Sequence, residues 1–448
     1  MVDVTLTVER KLLKRPVGAS RLGSETAPWS CARAVFVTQM RDYGAQIDLR
    51  HMYGTEASSR ATSATMWRTS GVDVLPVRYV EGAFPPEDRL DWPKLIPMIG
   101  PASAALARYD ELLATIPGPD VLLAPLTTQE AVLSSRIEGT RATMGDVLGF
   151  EAGERTISPD RQADVREILN YRAAMAGAIA DLADLPLCQR VVLSAHRVLL
   201  SGVRGTGKSP GAYRRVPNWI GPPGSSPENA TYVPIGPDKL PTAMDAWERY
   251  LHATVPDRLV QLAILHAEFE ALHPFLDGNG RLGRMLVPLF LWQHGLIRQP
   301  FFYISAYLEQ RRNRYYESLL TVSLADDWTG WCRFFLDAVK TQAEDNRSKA
   351  EAIFKLFEET TRWFSSVTRS RAAIDALRWL FANPIFSSSD FARMTEFIQA
   401  NGLAVDRDVT REGNPERDWD GRRPPTADIG VPGSAQDRRG PRVVLSGR

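Results

Sequence analysis

Cysteine is nearly missing from this chain: Cys31, Cys188 and Cys332 are the three among 448 residues. They are too scattered for a metal-ligand spacing or a disulfide framework, which fits a protein of the reducing cytoplasm. Net charge is almost absent as well. The 54 Lys and Arg against 53 Asp and Glu leave +1, so no bulk field calls for nucleic acid or an anionic membrane. No stretch of about 18 apolar residues occurs, which argues against a membrane span. The N-terminus has no apolar core of the kind a signal peptide needs. What remains is ample for folding: 44 % of the residues are hydrophobic, and the length predicts two or three domains.

The most informative stretch runs from His273 to Arg284. Leu259, Leu262, His266, Phe269 and Leu272 recur at three- and four-residue steps and predict a helix leading into it. Pro274 ends that helix, because the residue before a proline is pushed out of the α region. His273 then stands at a helix-to-loop corner, where a base can face a cleft. Gly278 and Gly280 permit positive φ and close backbone approach to a ligand. A second helix begins near Gly280, and its first amides point back into the loop as an anion site. Arg281 and Arg284, three apart, share a face at that same end. Taken singly, these are a structural histidine, a turn and a solvated pair. Together they place a base, a carboxylate (Asp277), a glycine cradle and two cations within twelve residues, as phosphate transfer on a nucleotide–metal complex requires.

Along the chain, residues 1–66 read as a disordered extension and 67–100 as an extended lead-in. Helices are predicted over 101–118 and from about Thr127 to Gly139, where Thr127 and Glu130 match a capping box. Glu138 lies at the C-terminus of that second helix and opposes its dipole, so it asks for a partner. Further helices are predicted over 161–185, 187–201, 241–254, 258–272, 280–294 and 326–340, with a charged linker helix over 341–366. The string from Gly202 to Ser209 satisfies the P-loop pattern, but a helix precedes it and Pro210 and Gly211 follow. The required strand and helix are both missing, so it is set aside. Two β-prone runs, Val216–Gly221 and Ala230–Pro234, flank a Pro/Gly/Ser-rich turn and predict a hairpin. His266 reads as a packed core histidine. Two helical segments around Asn383 and Pro384 follow the linker, and 403–448, poor in apolar residues, reads as a disordered tail.

The stretch from His273 to Arg284 matches HPFx[DE]GNGRxxR, and the chain thereby resembles the Fic (Fido) family. Pro210, Gly211 and Arg214 are similar to its PGxxR element. Ser134, Glu138 and Gly139 match [ST]xxxE[GN], the inhibitory-helix motif of one subgroup. The resemblance implies an all-α fold: a Fic-type helical bundle with a small β-hairpin flap, followed by a partial winged-helix-like segment over 341–402. It divides the core into an N-terminal region with the inhibitory helix (67–160) and a catalytic domain (161–340).

It further implies an autoinhibited protein adenylyltransferase that moves AMP from ATP to a Ser, Thr or Tyr hydroxyl of a target protein and of itself. By resemblance, His273 is the general base and Asp277 holds Mg²⁺. Gly278, Asn279 and Gly280 cradle phosphates. Arg281 neutralises the leaving pyrophosphate, and Arg284 clamps the γ-phosphate unless Glu138 holds it first. Tyr315 and Tyr316 close the adenine pocket, Tyr316 being the candidate base contact. Trp219, Ile220, Gly221, Tyr232 and Val233 form the flap that docks the target, and relatives often dimerise. Removal of AMP, a Fic-type phosphotransfer, and a non-catalytic transcriptional regulator are the rival functions.

Overall fold

Apolar residues at helical spacing fold nearly all of this chain into helices, and two of them are buried almost throughout. The computed structural model describes residues 75–153, 158–203, 207–222, 224–367, 373–386, 390, 393 and 394. The predicted extension (1–66), the tail (403–448) and most of the second C-terminal helical segment lie outside the described residues.

In chain order the elements are β1 (Val77–Arg78), α1 (Trp92–Thr115), α2 (Pro119–Leu122), α3 (Ala124–Ile137), α4 (Met144–Glu151), α5 (Pro159–Asp181) and α6 (Gln189–Leu199). Then come β2 (Tyr232–Val233), α7 (Leu240–Leu251), α8 (Arg258–Leu272), α9 (Asn279–Gln293), α10 (Ser305–Gln310), α11 (Arg312–Ala325), α12 (Trp328–Val367) and α13 (Ala373–Ala382). Helices α8 and α9 pack on each other at the centre, enclosed by α1, α3, α5, α6, α7, α11 and α12. Their partners supply large buried anchors, among them Trp247, Trp331, Tyr109 and Phe335.

Helix α1 starts at Trp92, nine residues before the predicted start. It runs through Pro97 and Pro101. Both prolines lack an amide donor, but both lie on the exposed face, where the carbonyls left without that donor are open to solvent. Leu95, Ala102, Leu106 and Tyr109 bury the opposite face. The predicted capping box at Thr127 does not form. Helix α3 has already begun at Ala124. Thr127 meets the Tyr303 hydroxyl at 2.7 Å, and Glu130 accepts from the Ser305 amide and hydroxyl at 3.0 and 2.5 Å. The capping box belongs to α4, between Thr143 and Asp146. The predicted linker is no separate element. It continues the preceding helix as one 40-residue α12, which packs along α1.

The hairpin is present in reduced form. Ile220 pairs antiparallel with Tyr232, exchanging hydrogen bonds of 2.9 and 3.0 Å. The lead-in completes it: β1 pairs parallel with β2, matching Val77 to Tyr232 and Arg78 to Val233. Among the described residues no helix is long and apolar enough to cross a membrane.

Candidate active site

Helix α8 ends at His273, which adopts a left-handed conformation with φ 46°. A non-glycine residue holds such an angle only where its surroundings over-determine it. Buried Arg214 does most of this. Its amide donates to the Pro274 carbonyl at 2.9 Å, its Nε to the His273 carbonyl at 2.9 Å, and its Nη2 to the carbonyls of Ile235 and Leu272 at 2.5 and 3.2 Å. Asn218 adds a bond to the Phe275 carbonyl at 3.1 Å.

The His273 ring is oriented by its own helix. Nδ1–H donates to the Glu270 carbonyl at 3.3 Å, which leaves the Nε2 lone pair free. Burial pulls this imidazole down to about 4, so the ring is neutral and ready to accept a proton.

The loop from Pro274 to Gly278 is fixed from inside and outside. Asn279 Oδ1 accepts from the Phe275 amide and its Nδ2 donates to the Phe275 carbonyl, both at 2.8 Å. The Asn279 side chain therefore shapes the loop, and its main-chain amide is one of the donors at the start of α9 that have no helical partner. His196 works from the other side. Its Nδ1 accepts from the Gly211 amide at 2.8 Å, so its Nε2–H donates to the Asp277 carbonyl at 3.1 Å. Its ring stacks on Phe275 with centroids 3.8 Å apart. Gly278 caps α9 at φ 82°, which only glycine adopts without strain.

The Asp277 carboxylate is 41 % exposed and lies 3.1 Å from Arg281 Nη2. Arg281 also faces Glu167 at 3.3 Å, and its Nε is buried without a partner. Among the described residues no group of three or more His, Cys, Asp or Glu gathers around a metal position. A cation at Asp277 would thus have one protein carboxylate and would need oxygens from its ligand, as Mg²⁺ does with phosphates.

Arg284 is only 1 % exposed, and α3 provides its partners. Nε donates to Ser134 Oγ at 3.0 Å, and Nη2 donates to the Ser134 carbonyl at 2.8 Å and to Glu138 Oε1 at 2.6 Å. Burial opposes the Glu138 charge, yet the Arg284 guanidinium beside it holds the carboxyl below the usual range. The carboxylate lies so close over Gly280 that a Cβ there would have to push it aside. An anion therefore already rests at the N-terminal end of α9, where backbone amides have no helical partner. Gly139, at φ 102°, ends the helix directly after this glutamate.

The tyrosine pair divides in two. Tyr315 is sealed in the core, its hydroxyl 2.9 Å from His266 Nε2 and its ring among Trp331 and Phe334. His266 gives its other nitrogen to the Gly283 carbonyl at 3.1 Å, so it is the packed core histidine the sequence predicts. Tyr316 is only partly buried and borders the end of α3. Only Tyr316 of the two is placed to meet a ligand. In the flap, Tyr232 is buried and donates to the Ala271 carbonyl at 3.2 Å, Val233 pairs with β1, and Gly221 packs against Ser225. Trp219 and Ile220 remain exposed. Lys208 of the P-loop-like string lies exposed, with Ser209 at φ 55° and a turn after it.

Sequence reasoning missed His196, Glu167 and Glu270. Glu167 and Glu270 lie on helices that bury other polar residues as well, His196 reads as part of an apolar helix face, and nothing in their spacing singles them out.

Residues 96–180 match the Fic/DOC family N-terminal domain, and residues 186–291 match the Fic/DOC family domain. Among proteins similar in sequence are two named Protein adenylyltransferase Fic. That of Drosophila yakuba is 27 % identical over 208 residues, covering 46 % of this chain and 38 % of the relative. That of Drosophila melanogaster is 26 % identical over 208 residues, covering 46 % and 39 %. The chain thus matches well under half the length of these curated relatives. Among solved structures, a Fic family protein from Desulfovibrio desulfuricans G20 aligns with a TM-score of 0.46 at 22 % identity, covering 69 % of this chain and 89 % of that one. Fic-1 (aa134–508) from C. elegans aligns with a TM-score of 0.45 at 17 % identity, covering 60 % and 76 %.

Proposed function

We propose that this chain, which carries the Fic/DOC family domain, transfers AMP from ATP to a hydroxyl of a target protein and rests in an inhibited state. The observation that carries this reading is the shared position of Glu138. Its carboxylate occupies the start of α9 and the buried Arg284 together, where the γ-phosphate of ATP would be held.

In the transfer, the neutral His273 Nε2 takes the proton of a Ser, Thr or Tyr hydroxyl, whose oxygen attacks the α-phosphorus. The bond from that phosphorus to the oxygen bridging to the β-phosphate breaks, and pyrophosphate leaves. The amides at the start of α9 would receive the phosphates, and Arg281 would face the leaving group. Asp277 would hold Mg²⁺, which when bound offsets phosphate charge. Tyr316 would flank the base, and the exposed flap residues Trp219 and Ile220 would meet the target. Charge-assisted bonds such as Glu138–Arg284 are strong. Each tenfold of repression needs only about 1.4 kcal/mol.

The test uses ATP labelled at the α- or the γ-phosphate, with wild type, Glu138→Gly and Glu138→Gly/His273→Ala. The expected result is protein-bound α label, raised at least about tenfold in Glu138→Gly and lowered roughly a thousandfold without His273. Label from γ would instead establish phosphotransfer, and equal labelling of wild type and Glu138→Gly would refute the inhibitory role.

A further inference from the structure

A second carboxyl, that of Glu270, acts on Arg284 electrostatically without forming an ion pair with it. Glu270, on the last turn of α8, presses Oε1 so closely on Gly283 that a Cβ there would have to displace the carboxylate. Gly280 and Gly283 lie one turn apart on α9, so the helix carries two glycine notches, with Glu138 in one and Glu270 in the other. Glu138 is bonded. Glu270 Oε1 is buried with no hydrogen-bond partner.

The charged and titratable groups that face Glu270 come from four elements. Arg284 of α9 favours its ionised form and Glu138 of α3 opposes it. Tyr315 of α11 senses its charge. On its own helix, His266 Nε2 lies 4.0 Å away but carries no proton, because Nδ1 holds it for the Gly283 carbonyl. His273 is bonded to the Glu270 main chain only. Burial, the largest influence, pushes the Glu270 carboxyl up to about 7.

We propose that Glu270 is a proton-switched rival for Arg284. As a neutral acid it leaves the guanidinium to the anion at the start of α9, and as a carboxylate it takes that charge for itself. The identity of the incoming anion, the terminal phosphate of a nucleoside triphosphate, rests on the reading above. When Glu138 is removed, Glu270 loses the neighbour that disfavours its charge, so it ionises at lower pH. A phosphate on Arg284 restores that opposition, so binding takes up a proton. Affinity is then greatest with Glu270 neutral and declines as pH rises through the range in which it ionises.

The experiment measures ATP binding by calorimetry to full-length Glu138→Gly and Glu138→Gly/Glu270→Gln. It covers about pH 6 to about pH 8.5, in buffers of different ionisation enthalpy. The terminal phosphate of ATP itself loses a proton near neutrality and so favours binding at higher pH. The Glu270→Gln background reports that effect alone. Relative to it, affinity should fall with rising pH by up to roughly tenfold for each unit by which the phosphate moves Glu270, and the extra proton uptake should vanish. Identical profiles in the two backgrounds overturn the proposal. Glu270→Met, equally unable to ionise, must give the same result as Glu270→Gln.

A second readout is independent of nucleotide: the infrared band of the protonated Glu270 carboxyl, assigned by its loss in Glu270→Gln. It should titrate at lower pH in Glu138→Gly than in wild type. An unmoved band refutes the rivalry. A shifted band with no ATP binding upholds it and refutes the nucleotide reading instead.

Discussion

The loop from His273 to Gly278 and the end of α3 that carries Glu138 lie against the same turn of α9, yet they are held by different forces. From His273 to Gly278 the loop is pinned mainly by hydrogen bonds to main-chain groups, from Arg214, Asn218, His196 and Asn279. The end of α3 is held there by one ion pair, Glu138 to Arg284, beside the bonds of Ser134. The first arrangement fixes a shape whatever the ligand. The second can be exchanged, because another anion can take the place of the carboxylate. Under the proposed restraint the site is therefore built before it is released, and release requires no refolding of the loop.

The largest break in this comparison is Arg214→Leu. It strips donors from the carbonyls of Ile235, Leu272 and His273 in a buried setting, at roughly 1 kcal/mol or more each and about 3 kcal/mol in sum. Denaturant unfolding should show that loss, and α-label transfer should fall even in the Glu138→Gly background. An unchanged unfolding midpoint would show that the loop stands without its arginine.

A smaller effect comes from Glu138→Gln, which keeps size and removes charge. Labelling should rise about tenfold, as expected from weakening a charge-assisted bond by about 1.4 kcal/mol, with stability nearly constant. If the amide restrains as well as the acid, shape and not charge holds this end of α3.

The smallest effect is a predicted constancy. Because His273 is pulled down to about 4, its basic form persists at all higher pH and is lost only as pH falls through that value. In the Glu138→Gly/Glu270→Gln background at saturating ATP and target, the chemical rate should show no limb near the ordinary histidine range of about 6.5. A limb there would mean that His273 is better solvated than its setting implies.

Legibility differed between the two regions for the same reason. Residues 273–284 place base, carboxylate, glycines and arginines in one continuous string, so their chemistry could be read before any fold was known. Helix α3 was readable as a helix ending in an ill-placed glutamate, and the partner of that glutamate came from family resemblance, being 146 positions away. The lead-in strand escaped notice because parallel pairing of Val77 and Arg78 with Tyr232 and Val233 leaves no local pattern. The early start of α1 was hidden by prolines whose missing donors matter only on a buried face. Helix α12 looked like two helices because its second half changes composition without changing period.

Helix α13 packs against α2 and α3, with Leu377 wholly buried, and it is reached through the 40 residues of α12, about 60 Å of helix. Helix α3, whose end carries Glu138, thus leans on a buttress drawn from near the far end of the described chain. Under the proposed restraint, resting output becomes a property of polypeptide length. On that proposal a chain ending at Val367 would keep every residue named in the chemistry and still label more strongly at rest, because α3 would have lost its backing.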